Sequence, residues 1–126
     1  MNQNLTADQL AAQFARSARE VDDAVGAVVQ AAAYSVRGDA YERVNRDAET
    51  DGPNDRHRFA ARQIDAVPDG DLTMVVGYDN QIADLAAAIE YGSATIAPGG
   101  QLATALDTET PIFAKTVVLA ALKRMR

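Results

Sequence analysis

The chain has 126 residues and a mass of 13.4 kDa, with 48% hydrophobic and 24% charged side chains. That is one ordinary folded domain's worth, too apolar for a disordered chain. Cysteine is absent and His57 is the one histidine, which excludes disulfide frameworks, thiolate metal sites and thiol nucleophiles, while a net charge of −6 disfavours phosphate neutralisation on nucleic acid.

Met1 to Asn4 carries no basic segment, and no apolar run of signal-peptide type follows. The most apolar stretch, 24–36, is interrupted by Gln30 and Ser35 and falls short of the ~18 apolar residues of a membrane span. The expected setting is the cytoplasm, unless the chain leaves it as part of a larger assembly. Thr6 reads as an N-cap with Gln9 completing a capping box, and Leu5 and Leu10 occupy the staple positions. Leu10, Phe14, Ala18, Val21, Val25, Val28, Ala32 and Val36 then recur at steps of three and four, one stripe of an amphipathic helix over 6–46. Forty residues of helix are ~60 Å long, whereas a domain of this size is roughly 35 Å across. Either the helix breaks, at Gly26 or Gly38, or it projects and needs a partner.

Residues 47–57 are polar and carry Gly52-Pro53, which predicts a loop. Two strand-like runs, 59–67 and 72–78, flank the turn Pro68-Asp69-Gly70-Asp71 and predict a β-hairpin over 58–79. Leu72, Met74, Val76 and Tyr78 share one face, and the Val75-Val76 pair implies partial burial on both. A short helix over 82–91 ends at Gly92, expected in the left-handed region. Residues 93–110, with Pro98-Gly99-Gly100, read as a long loop, mobile in the isolated protein. Thr110-Pro111 reads as an N-cap and N1 proline opening a helix over 111–125, with Phe113, Val117, Leu119 or Ala120, and Ala121 to Leu122 on its apolar face. The resulting fold class is α+β, a single domain with long N-terminal and C-terminal helices on a small antiparallel β-sheet.

Charge is unevenly placed. Residues 1–52 hold five basic and nine acidic side chains, residues 53–110 three and nine, and residues 111–126 hold Lys115, Lys123, Arg124 and Arg126 with no acid. Cations at a helix C-terminus complement its dipole, and they also offer a contact to an acidic neighbour.

No catalytic constellation emerges. His57 lies in a polar loop between Arg56 and Arg58, read as a solvated side chain, and Ser17, Ser35 and Ser93 are in no nucleophile-elbow pattern. Asp51, Asp55 and His57 are a sparse set for a metal, and Asp65, Asp69 and Asp71 are explained by turn chemistry. Arg56, Arg58, Phe59 and Arg62 are the one basic–aromatic group, read as a charged edge strand rather than a nucleic-acid surface. No phosphate-binding loop is present. Cofactor, metal and catalytic residues are accordingly expected to be none.

Glu90-Tyr91-Gly92, preceded by an Ala-rich segment and the Val75-Val76-Gly77-Tyr78 strand, is followed by Pro111-Ile112-Phe113 and then Ala120-Ala121-Leu122. In order and spacing over about residues 20–126 this resembles the neck or tail-completion (minor tail) proteins of siphophages, the lambda Z-like head–tail joining family. Asn54-Asp55-Arg56 stands where that family places a Thr-Gly pair, and Lys115-Thr116 where a proline commonly follows. The resemblance implies a structural protein of the virion neck without catalytic residues. Its partners would be itself, as a sixfold ring (a hexamer), and the neighbouring connector and tail-tube proteins. It would engage neither membrane nor sequence-specific nucleic acid, and Lys115, Lys123, Arg124 and Arg126 would be interface positions. A tail terminator capping the tube and a non-viral cytoplasmic helix-mediated module are the alternatives.

Overall fold

The first helix begins where its capping chemistry says it should. In the computed structural model, which describes residues 6–50, 55–93 and 95–124, the Thr6 hydroxyl accepts the Gln9 N–H at 3.1 Å and the Gln9 side-chain oxygen accepts the Thr6 N–H at 3.0 Å. Leu5, the outer half of the expected staple, lies outside the described residues. Helix α1 then runs unbroken over Ala7–Asp47, 41 residues, a rod of about 62 Å. Neither glycine interrupts it. A Cβ at Gly26 would stand 3.2 Å from the Asp71 carbonyl oxygen, so this position lets the hairpin turn approach the helix.

The polar segment after α1 is not all loop. Asp55, at φ 53°, turns the chain into a short helix α2, Arg56–Ala61. His57, Ala60 and Ala61 are buried, at a spacing of three and one that suits a helix and not a strand. The expected first strand is correspondingly shorter, β1 over Ile64–Pro68 rather than from Phe59, and it pairs antiparallel with β2, Met74–Tyr78. Ile64 faces Tyr78 and Pro68 faces Met74 across the pair, and the Asp69 N–H closes the turn on the Thr73 carbonyl at 2.8 Å. Ile64 and Ala66 are buried against α1, with Val76 and Tyr78 half-buried beside them, while Val67 and Val75 pair on the outer face. Val75 is therefore exposed, not shielded on both sides. The Arg37 guanidinium Nε donates to the Ile64 carbonyl at 3.1 Å and ties β1 to α1.

Helix α3 spans Ala83–Tyr91 behind a single 3₁₀ turn, with Ala86 and Ile89 buried. The last helix, α4, spans Gln101–Arg124 and begins ten residues earlier than Thr110-Pro111 predicts. It packs antiparallel on α1: the Gln101 amide donates to Asp47 at 3.1 Å, Arg43 reaches the Thr108 hydroxyl at 3.4 Å, and Thr116 lies in the same groove as Ala27, Val28 and Ala31. The fold is α+β, two long helices with a two-stranded antiparallel sheet. Its core gathers Val36, Ala40, Val44, Ile64, Ile89 and Ala105 around the C-terminal half of α1.

Candidate functional site

Glu90, Tyr91 and Gly92 stand where α3 ends and α4 begins. The Glu90 carboxylate accepts the N–H of Leu102 at 3.0 Å and of Ala103 at 3.1 Å, capping the first turn of α4 from twelve residues upstream. Behind it, the N–H groups of Gly99 and Gly100 donate to the carbonyls of Ile89 and Glu90, each at 3.0 Å. Gly92 adopts φ 92° and ψ 161°, an extended positive-φ conformation rather than the left-handed helical one expected, and a Cβ there would stand 3.0 Å from Pro98. Gly99 is equally confined, with the Ile89 carbonyl oxygen 3.0 Å and an Asp47 oxygen 3.1 Å from where its Cβ would be. The Ser93 hydroxyl oxygen accepts the N–H of Ile96 at 3.1 Å and of Thr95 at 3.3 Å. The expected mobile loop over 93–110 is thus a short, hydrogen-bonded connection ending at Gly100, followed by helix. Tyr91 contacts little of this and is 80% exposed.

Pro111 sits inside α4 rather than at its start. It can offer no N–H to the Asp107 carbonyl one turn back, and the Thr110 hydroxyl donates to the neighbouring Leu106 carbonyl at 2.7 Å. Phe113 is half-buried between α4 and the Val29–Ala32 region of α1. Lys115 and Lys123 are exposed on α4. The side chain of Arg124 and the whole of Arg126 lie outside the described residues.

His57 is not where the sequence places it. It is 4% exposed on α2, not solvated in a loop. Together with Asp47, Arg56, Thr95 and Gln101 it lines a polar cavity of about 390 Å³. Sequence reasoning missed this juxtaposition because α1, α2 and the start of α4 meet only in the fold. Nearby, burial first, and then the charges of Glu90 and Asp47, push the Tyr78 phenol up to about 12 from its ordinary 10, and among the described residues its buried hydroxyl has no hydrogen-bond partner. Of the serines, Ser93 binds its own turn, and Ser17 and Ser35 lie along α1. Among the described residues no group of three or more acidic or imidazole side chains could hold a metal ion; Asp51 lies outside them. Asp65 accepts the Ala66 N–H at 2.8 Å, and Asp55 lies 3.7 Å from Arg58 and 3.8 Å from Arg62, so the basic–aromatic group decorates α2 and not a strand edge.

Helices α1 and α4 also carry exposed apolar side chains. Leu10 and Phe14 on α1 are 41% and 66% exposed, and Ile112, Val118, Leu119 and Leu122 on α4 are each more than half exposed. The chain presents 8760 Å² of accessible surface, whereas a folded monomer of 13.4 kDa presents about 6500 Å². Among the described residues no helix is long and apolar enough to cross a membrane. Compared with protein-family models, with curated proteins and with solved structures, the chain matches none.

Proposed function

We propose that this protein is a structural assembly subunit of the head–tail junction of a tailed phage, joining or completing the tail as one member of a ring of identical copies. The observation that carries the reading is the uncovered apolar surface of α1 and α4, borne by a chain whose core is gathered at one end of a rod of about 62 Å. Such a surface does the work of a binding face rather than a catalytic one. The junction is favoured among assemblies by the ordered succession of Glu90-Tyr91-Gly92, Pro111-Ile112-Phe113 and Ala120-Ala121-Leu122. Within that succession Glu90 and Gly92 have a local task, fixing how α4 leaves α3, so the motif sets the angle of the helix that carries the exposed face.

Deleting the gene from the phage that encodes it is the test. The reading expects DNA-filled heads and formed tails that remain unjoined, seen by negative-stain microscopy. Tails of irregular length would assign the protein to the terminator instead. Joined, infectious particles from the deletion strain would remove the virion role and leave a helix-mediated cytoplasmic module.

A further inference from the structure

Helix α4 consists of two halves with unequal attachment. Its first half is fastened: Leu102 and Ala105 pack in the core, the Gln101 amide donates to Asp47 at 3.1 Å, and the Arg43 guanidinium donates to the Thr108 hydroxyl at 3.4 Å. Glu90 caps the same half from α3. Among the described residues, the hydrogen bonds that tie α4 to other elements all fall before Pro111. After it, none of the described side chains is fully buried, and Phe113, Val117, Ala120 and Ala121 are the half-buried ones.

The seat beneath that second half is loosely packed. Phe113 stands between two open grooves, one of about 140 Å³ towards Val29, Val36 and β2, the other of about 300 Å³ towards Ala27, Val28 and Ala31. A close-packed interior leaves few voids larger than a water, and a side chain facing a gap forfeits its dispersion contacts on that side. The small α1 side chains Ala27, Ala31 and Ala32 leave Phe113 as the one large group that the second half sets against α1 between the grooves.

The helix is weakened at the boundary itself. Pro111 withholds the N–H that the Asp107 carbonyl would accept, and its ring crowds that carbonyl. On the turn before it, the Thr108 and Thr110 hydroxyls donate to the carbonyls of Thr104 and Leu106 at 2.8 and 2.7 Å, and on the turn after it Thr116 donates to Ile112 at 2.8 Å. Such back-bonding slightly destabilises a helix and bends it, and sharp bends concentrate at proline.

We propose that Pro111 is a hinge, about which residues 112–124 pivot as a helical arm between the seat on α1 and a lifted position, with Phe113 as the latch. The arm is about 20 Å long, so a bend of about 20° carries its end through about 7 Å. Lifting bares Val28 and Ala32 of α1 and re-aims the exposed Val118, Leu119 and Leu122. The hinge goes beyond the assembly reading and stands apart from it, because it belongs to a single chain whatever that chain joins.

The chain has no cysteine, so pairs of spin labels can be placed cleanly on the full-length protein. Asp23→Cys with Lys123→Cys reads the arm, and Glu42→Cys with Asp107→Cys reads the fastened half. Labelled chain is diluted in an excess of unlabelled chain, so that the distances are those within one molecule. Double electron–electron resonance should give one distance for the fastened pair and two for the arm pair, about 7 Å or more apart. Pro111→Ala should leave the shorter alone, and Phe113→Ala should shift the ratio towards the longer by about tenfold. One narrow arm distance, unchanged by Phe113→Ala, overturns the hinge. So does a second distance that survives Pro111→Ala, which would place the bend elsewhere. A broad distribution with the amides of 112–122 exchanging at unfolded-chain rates overturns it too, since that arm would unwind rather than pivot. If Phe113→Ala loses helix by circular dichroism, Phe113→Leu takes its place.

Discussion

Glu90 and Leu102 are joined across the α3–α4 connection, the carboxylate Oε1 accepting the Leu102 N–H at 3.0 Å while Oε2 takes the next N–H, of Ala103, at 3.1 Å. A carboxylate at this end of a helix answers two unsatisfied donors and the positive end of the dipole together. The cap also fixes α4 against the Gly99-Gly100 turn, so the direction of the exposed face depends on it.

Replacing Glu90 by Ala should therefore cost about 1–2 kcal/mol, the scale for losing a side-chain cap, and Glu90→Gln should cost less because one acceptor remains. Urea unfolding curves with unchanged slopes would measure both. A Glu90→Ala midpoint equal to that of the wild type would mean that water caps α4 as well as the carboxylate does.

Gly92→Val should cost about 1–3 kcal/mol, the range for residues forced into sparsely populated backbone regions. Its φ of 92° and the 3.0 Å approach of a Cβ to Pro98 act in the same direction. A thermal midpoint shifted by several degrees checks this, as a small domain moves about 4–8 °C for each kcal/mol.

The start of α1 is legible in the sequence because its cap is local: Thr6 and Gln9 are three residues apart and bond each other. The start of α4 is not, because its cap is Glu90, and no window around Gln101 contains that carboxylate. Thr110-Pro111 supplied a local signal for a helix start that the tertiary packing of Leu102 and Ala105 overrides. The same competition shortened β1, where Phe59 and its neighbours look strand-like until Ala60 and Ala61 are seen to face α1 at helical spacing. Of the candidate site, the exposed stripe on α1 was readable from periodicity alone. The buried place of His57 was not, since three separated segments build its surroundings.

Tyr78 should titrate later in the folded protein than in the unfolded chain. Its folded pKa, raised to about 12 from 10, means that the unfolded chain loses this proton first. The sign follows: stability is intact below pH 10 and declines as pH rises towards about 12. Phenolate absorbance followed against pH should show one late transition that Tyr78→Phe removes. The same variant should keep or slightly raise stability at neutral pH, because the hydroxyl it deletes is buried without a partner among the described residues.

Pro111→Ala should stabilise the chain by roughly 1–3 kcal/mol, up to the penalty that proline carries inside a helix. It returns an N–H to the Asp107 carbonyl and removes a ring from the middle of α4. Thermal melts of the variant should move upward. A fall in midpoint would show that α4 is bent at this point to fit α1.

The central claim is that this chain completes its surface only by assembling, and the mass of the wild-type protein in solution tests it most directly. Sedimentation equilibrium should give a multiple of 13.4 kDa, with the Phe14→Asp chain falling to the monomer under the same conditions. A wild type that remains a 13.4 kDa monomer up to concentrations on the order of 100 μM, where a contact of only about −5.5 kcal/mol is already half-formed, would contradict it.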